Sequence, residues 1–197
     1  MGKKAPFRLA LTGPPASGKT TVLKIFQQKG VPVFSADEVV HELSRPCQPG
    51  YHQVLRRLGE TFLQKDGALD RRLLLSAMLK DPKIKAVLEG IFHPLVKERL
   101  LDWFERHSTT PLLVAEIPLL YQAGWEDLFE EVLFVTSPSS ILKERLTQRL
   151  GDPLLAEALL KGYSVTPKKA LILNNLDLSK TRAYVNAYLR KHGLNET

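Results

Sequence analysis

Gly13-Pro14-Pro15-Ala16-Ser17-Gly18-Lys19-Thr20 decides how the rest of the chain is read. It fits G-x-x-x-x-G-K-[ST], a loop whose backbone N–H groups cradle phosphate. The pattern requires a strand before it and a helix after it, and both are legible. Phe7-Arg8-Leu9-Ala10-Leu11-Thr12 is short, mostly apolar and runs into a glycine, as a buried strand does. Val22, Leu23, Ile25 and Phe26 then recur close to helical spacing, with Gly30 as the stop. Gly13 and Gly18 permit backbone angles that a Cβ would obstruct. The positive end of the helix favours an anion at the same spot. Lys19 would reach the β- and γ-phosphates of ATP, and the Thr20 hydroxyl would bind Mg²⁺. Pro14 and Pro15 carry no N–H, so the donors are expected from Ala16, Ser17, Gly18, Lys19 and Thr20, with Thr21 beside them.

The chain has 197 residues, enough for one domain or a core with an inserted lobe. Apolar content of 44% and charged content of 25% are ordinary for a soluble globular protein. No apolar run approaches a membrane span. Met-Gly-Lys-Lys-Ala-Pro passes directly into the first strand, leaving no room for a signal peptide. Cys47 is alone, which excludes an intrachain disulfide and fits a reducing cytoplasm. The formal charge is +7, yet the basic residues are scattered and not interleaved with aromatics. That pattern suits polyphosphate ligands better than nucleic acid. A cytoplasmic protein with no nucleic-acid or membrane partner is expected; its oligomeric state is not legible.

Val31-Pro32-Val33-Phe34 reads as a second strand, followed by Ser35-Ala36-Asp37-Glu38. Asp37 stands at the strand's C-terminal end, the edge that holds the ligand crevice in open α/β sheets. A carboxylate there suits proton acceptance from an attacking hydroxyl. It equally suits capping of the next helix, which carries Val39, Val40 and Leu43, with Glu38 and His41 on the solvated side. From about 52 to 107 the pattern is helical. Val54, Leu55 and Leu58 form one core stripe, and Leu73, Leu74, Ala77 and Met78 another. Val87, Leu88 and Ile91 follow, then a break at Pro94, then Leu95, Val96, Leu100, Leu101 and Phe104. Asp70 is placed to cap the helix that starts at Arg71.

Leu112-Leu113-Val114-Ala115-Glu116 is a third strand ending in an acid on the same sheet edge as the phosphate loop. Glu116 fits a role toward Mg²⁺, its water shell or substrate, more than a cap for the turn at Pro118. Glu131 to Thr136 forms a fourth strand. The helix after Pro138 carries Arg145 and Arg149, whose planar forks suit phosphoryl oxygens. A fifth strand runs over Ala170 to Asn175, and Ser179 to His192 closes the chain as a helix.

These pieces together resemble the dephospho-coenzyme A kinase family, from about Arg8 to Asn175. Ser35-Ala36-Asp37 is similar to the family's Asp-Ala-Asp, and Leu69-Asp70-Arg71 opens an inserted helix. Phe92-His93-Pro94 is similar to its Leu-His-Pro, and Ile117-Pro118-Leu119-Leu120 to its Val-Pro-Leu-Leu, ahead of a late Asn-Asn turn. The resemblance implies Asp37 as general base on a ribose 3′-hydroxyl, Lys19 and Thr20 as ATP and Mg²⁺ residues, and Arg145 as an active-site arginine. It also implies Arg149 as a basic residue of the lid, and Arg71 and His93 in a coenzyme-binding helical lobe. Ser35 departs from the family's first aspartate, and Pro14-Pro15-Ala16 from its Gly-Ile-Gly type loop. The lid is shorter than usual, and Val165-Thr166-Pro167-Lys168-Lys169-Ala170 lacks the family's Arg and Ala-Asp.

The expectation is therefore an α/β, three-layer P-loop kinase fold with a five-stranded parallel sheet, a helical substrate lobe and a short lid. Its core would be 1–43, 108–137 and 167–197, with the coenzyme-binding insertion at 44–107 and the lid at 138–166. Asp37, Lys19 and Arg145 would be catalytic. Gly13 to Thr21 and Arg149 would hold ATP, and Asp37, Arg71, His93, Glu116 and Pro118 the acceptor. Dephospho-coenzyme A would receive a phosphoryl group from ATP. The alternatives are a kinase for another nucleotide or small hydroxyl acceptor, and a nucleotide-binding regulator without kinase chemistry.

Overall fold

In the computed structural model, residues 5–163, 165, 167 and 169–194 are described. The strands are Phe7–Thr12 (β1), Val33–Ser35 (β2), Leu112–Glu116 (β3), Glu131–Thr136 (β4) and Leu171–Asn174 (β5). They pair in the order β2-β3-β1-β4-β5, every pair parallel. β3 is buried at every position, which is why it reads as an uninterrupted apolar run. β2 begins two residues later than Val31. Pro32 has no N–H for the ladder, although its carbonyl accepts from the Val114 N–H at 3.2 Å.

Parallel neighbours require crossovers, and helices supply them. They are Lys19–Gln28 (α1), Ala36–Leu43 (α2), Pro49–Leu58 (α3), Arg71–Lys80 (α4), Pro82–Arg106 (α5), Leu120–Ala123 (α6), Ser139–Leu150 (α7), Pro153–Gly162 (α8) and Leu178–Lys191 (α9). The described chain divides into two compact units, Met1–Ser35 with Phe104–Thr197, and Ala36–Trp103.

The first unit holds the sheet. Alternate residues Leu9, Leu11, Val114, Leu133, Val135 and Leu173 meet Val22 and Phe26 of α1 and Val185 and Leu189 of α9 in one cluster. Phe134 and Thr136 fall on the opposite face by the two-residue period of a strand. There they share a pocket wall with Leu142 of α7 and Leu160 of α8. The end of the expected lid, Val165 to Ala170, includes Thr166 and Lys168, which lie outside the described residues, as does Ser164.

The second unit has its own core of Val54, Phe62, Leu69, Leu74, Leu88 and Ile91. Asp70 caps α4, its carboxylate accepting from the Leu73 N–H at 2.9 Å. The expected break at Pro94 does not occur; α5 continues through it for 25 residues. Apolar residues before and after, Leu88, Ile91, Val96 and Leu100, are buried on the same helix. That burial outweighs the hydrogen bond and steric fit that an interior proline costs, roughly 3 kcal/mol. Two residues of the expected core stripes are also exposed, Leu73 at 42% and Leu101 at 40%. Each sits one residue, about 100° of helix, from a buried neighbour, Leu74 or Leu100.

Candidate active site

The phosphate loop leaves β1 through backbone angles that its sequence makes accessible. Gly13 has φ +143 and Gly18 has φ +90, both open to glycine. A Cβ on Gly13 would lie 2.0 Å from the Val135 carbonyl oxygen, a main-chain atom of β4. Ala16 also sits at positive φ, 61, without glycine's freedom. Of the amides expected to face phosphate, that of Ser17 donates back to the Pro14 carbonyl at 3.3 Å. α1 opens at Gly18 with no side-chain cap, so its first turn presents backbone N–H groups and the positive end of its dipole.

The loop's side chains are held from below. Lys19 is buried, and its ammonium donates to the Gly13 and Pro14 carbonyls at 3.0 Å each. The Thr20 hydroxyl meets both oxygens of Glu116, at 3.1 and 3.2 Å. Glu116, 2% exposed, ends β3 in register with Leu11 of β1 and Ser35 of β2. The next residue but one, Pro118, accepts from the Thr12 hydroxyl at 3.3 Å.

Asn175 joins the loop to α7. Its side-chain amide donates to the Ser17 carbonyl at 3.0 Å, and its own N–H donates to the Thr136 carbonyl at 2.8 Å. Its carbonyl accepts from the Ser137 hydroxyl at 3.0 Å and from Arg145 at 3.4 Å. Arg145 also donates to Ser137 Oγ at 3.3 Å. Arg149, one turn further along α7, is exposed. α7 is tied to α8 by Glu157, which accepts from Lys143 and pairs with Lys161 at 2.8 Å each. Those two bonds, Lys143 first, pull the Glu157 carboxyl down to about 2.

A pocket of about 440 Å³ lies beside Pro14, walled by Thr136, Ser139, Leu160, Lys161 and Tyr163. Burial above all raises the Tyr163 phenol above its ordinary range.

The second unit gathers a different set. Asp37 is the second residue of α2, exposed in its first turn. His41 follows one turn later, and its Nδ1 lies 2.7 Å from Arg71 Nη1. Arginine can only donate, so Nδ1 accepts and the imidazole is held as the Nε2–H tautomer. α2 and the start of α4 thus bring Asp37 and Arg71 to one neighbourhood. His93 lies half-buried in α5; burial holds its imidazole below the usual range, with Glu89 opposing.

Lys19, Thr20, Glu116, Pro118 and Arg145 are therefore assembled in the first unit, and Asp37, Arg71 and His93 belong to the second. Sequence reasoning missed Ser137, Tyr163 and the bracing role of Asn175. The signal available was the Asn-Asn turn at the C-terminal edge of the last strand, where α/β sheets bind ligands.

The residues fit a nucleoside triphosphate. Ser17 is fully buried, and its hydroxyl has no hydrogen-bond partner among the described residues. Such an orphaned donor beside an uncapped helix N-terminus matches an anion. They also fit Mg²⁺, a hard cation that binds one or two carboxylate or hydroxyl oxygens and keeps waters and phosphate oxygens for the rest. Thr20 and Glu116 are such a pair. Among the described residues, no cluster of three His, Cys, Asp or Glu forms a closed metal cage.

The dephospho-CoA kinase family profile matches residues 7–158. The dephospho-CoA kinase of Symbiobacterium thermophilum is 35% identical over 190 residues, covering 92% of this chain and 80% of the relative. That of Methylococcus capsulatus is 33% identical over 192 residues, covering 94% of this chain and 96% of the relative. A crystal structure from Thermus thermophilus superposes with a TM-score of 0.77 at 27% identity, over 95% of this chain and 98% of that one. The fold is accordingly that of the P-loop kinases, and the chain belongs to the dephospho-CoA kinase family.

Proposed function

We propose that the protein transfers the γ-phosphoryl group of ATP to the ribose 3′-hydroxyl of dephospho-coenzyme A, giving ADP and coenzyme A. The observation that carries this reading is the Thr20–Glu116 contact beneath a phosphate loop in a chain of this family. It is the pairing that a metal–triphosphate complex requires.

Asp37 accepts the proton of the 3′-hydroxyl, whose oxygen bonds to the γ-phosphorus as the bond to the β-phosphate oxygen breaks. Lys19 and Arg145 face the charge spread over the transferring group, and the loop amides hold the phosphates still. Catalysis is then mainly positioning and electrostatic stabilisation. Thr20 and Glu116 would hold Mg²⁺, which when bound neutralises charge on the phosphates. Gly13 to Thr21 and Arg149 serve ATP. Arg71, His93 and Pro118 serve the acceptor, with Arg71 steadied by His41. No described helix is long and apolar enough to cross a membrane. A cytoplasmic enzyme without nucleic-acid partners belongs to the same proposal.

A coupled ADP-release assay with dephospho-coenzyme A, AMP and a panel of sugars tests it. ADP should appear fastest with dephospho-coenzyme A. Faster turnover of AMP or a sugar would transfer the protein to another acceptor. ATP binding without ADP from any acceptor would make it a regulator.

A further inference from the structure

We infer that Asn175 is a positioning residue for the triphosphate, setting the shape of the phosphate loop from outside it. This rests on the kinase reading for its consequence, but its geometry stands within the first unit alone.

The amide of Asn175 is oriented by two different partners. Thr181 Oγ1 lies 2.8 Å from Oδ1, and Nδ2 donates to the Ser17 carbonyl at 3.0 Å. A flipped amide would set oxygen against the Ser17 carbonyl, so the network admits one orientation. Thr181 is fully buried on α9, and its hydroxyl proton is shared with the Asp177 carbonyl at 2.9 Å. Asn175 itself is 8% exposed. The clip is therefore sheltered from water, where a hydrogen bond is stronger and its loss costs more.

What the clip fixes is a peptide plane. In a trans peptide the C=O and the following N–H point in opposite directions. Holding the Ser17 carbonyl toward Asn175 turns the Gly18 N–H away from it, and that amide belongs to the set expected to face phosphate. The approach is close: a Cβ on Gly18 would come within 2.0 Å of Asn175 Nδ2. Gly18 is thus small for Asn175 as well as for its φ of +90.

The same residue carries Arg145 on its backbone carbonyl, at 3.4 Å. Asn175 therefore spaces the loop amides from the arginine that faces the transferring group. One residue at the end of β5 sets the cradle through its side chain and the arginine through its main chain.

The test measures ATP affinity by calorimetry and steady-state constants for ATP and dephospho-coenzyme A, in wild type, Asn175→Ala, Thr181→Val and the double variant. Losing one sheltered hydrogen bond should weaken ATP binding about tenfold in Asn175→Ala. KM for ATP should rise in parallel, and KM for the acceptor should stay within about twofold. Thr181→Val removes only the orienting partner and should weaken ATP binding several-fold. The double variant should match Asn175→Ala, because both act through one amide. Thermal melts identify folded variants; if Asn175→Ala does not fold, Thr181→Val carries the test. Unchanged ATP affinity in the folded variants, or equal losses for ATP and acceptor, would overturn the inference. Calorimetry needs no acceptor. A wild type that binds ATP but does not phosphorylate dephospho-coenzyme A would defeat the kinase reading and leave the role of Asn175 still decided by affinity.

Discussion

The hydroxyl of Thr20 lies 3.1 and 3.2 Å from the two carboxylate oxygens of Glu116, which is itself almost wholly buried. A carboxylate this sheltered is tolerated where a donor or a cation faces it. We expect Glu116→Gln to keep the hydroxyl contact while removing the charge. Turnover should fall about 100-fold, and the Mg²⁺ concentration for half-maximal rate should rise. A magnesium titration of the rate at fixed ATP reads both; an unshifted titration would remove Glu116 from the metal's surroundings.

Asp37→Asn keeps the size of the side chain and abolishes its basicity. Its expected signature is a loss of turnover by about two to four orders of magnitude. ATP affinity should be nearly unchanged, since Asp37 is assigned to the acceptor. Single-turnover kinetics and ATP calorimetry separate the two, and a mutant as fast as wild type would leave the base unassigned.

Gly13→Ala places a Cβ 2.0 Å from the carbonyl oxygen of Val135, and main chain of a central strand cannot rotate away. The residue would also be held at φ +143. Backbone strain of this kind costs about 1–3 kcal/mol before the clash is added. A lowered denaturant midpoint together with weakened ATP binding is expected, because the strand and the loop share this residue. A variant as stable as wild type would contradict the close packing of Gly13 on β4.

Much of this was legible from residue order. β1, β3 and β4 read true because strands buried on both faces leave continuous apolar runs, and the glycine-rich loop marks where β1 ends. The Asp70 cap was equally local. Pro94 misled because a proline's local penalty says nothing of the apolar partners that hold α5 straight through it. Asn175 stayed hidden for the opposite reason: its bond to Ser17 joins residues 158 apart, and no periodicity records such a meeting. Ser137 likewise looks like any loop serine until Arg145 is seen to rest on it.

His93 gives the expected pH dependence. Burial lowers its folded pKa below the ordinary imidazole value of 6.5 that holds in an unfolded chain. As pH drops below 6.5 the unfolded state binds a proton that the folded state still refuses, so stability falls. The loss levels off once pH passes the lower folded value. Urea midpoints from pH 8 to pH 5 should decline more steeply in wild type than in His93→Gln; parallel curves would show that burial of the imidazole carries no linkage.

β1 precedes the other four strands of the sheet in the sequence, yet both of its partners come much later. Its two neighbours, residues 112–116 and 131–136, leave a ribosome only after Ala36–Trp103 has been made in full. A nascent chain thus carries its phosphate loop on an unpaired apolar strand until residues 112–116 emerge, a segment open to aggregation or chaperone capture. ATP stabilises only chains in which the loop is formed. Nucleotide can therefore assist maturation only after residue 136 emerges, and the N-terminal half cannot be rescued by its own ligand.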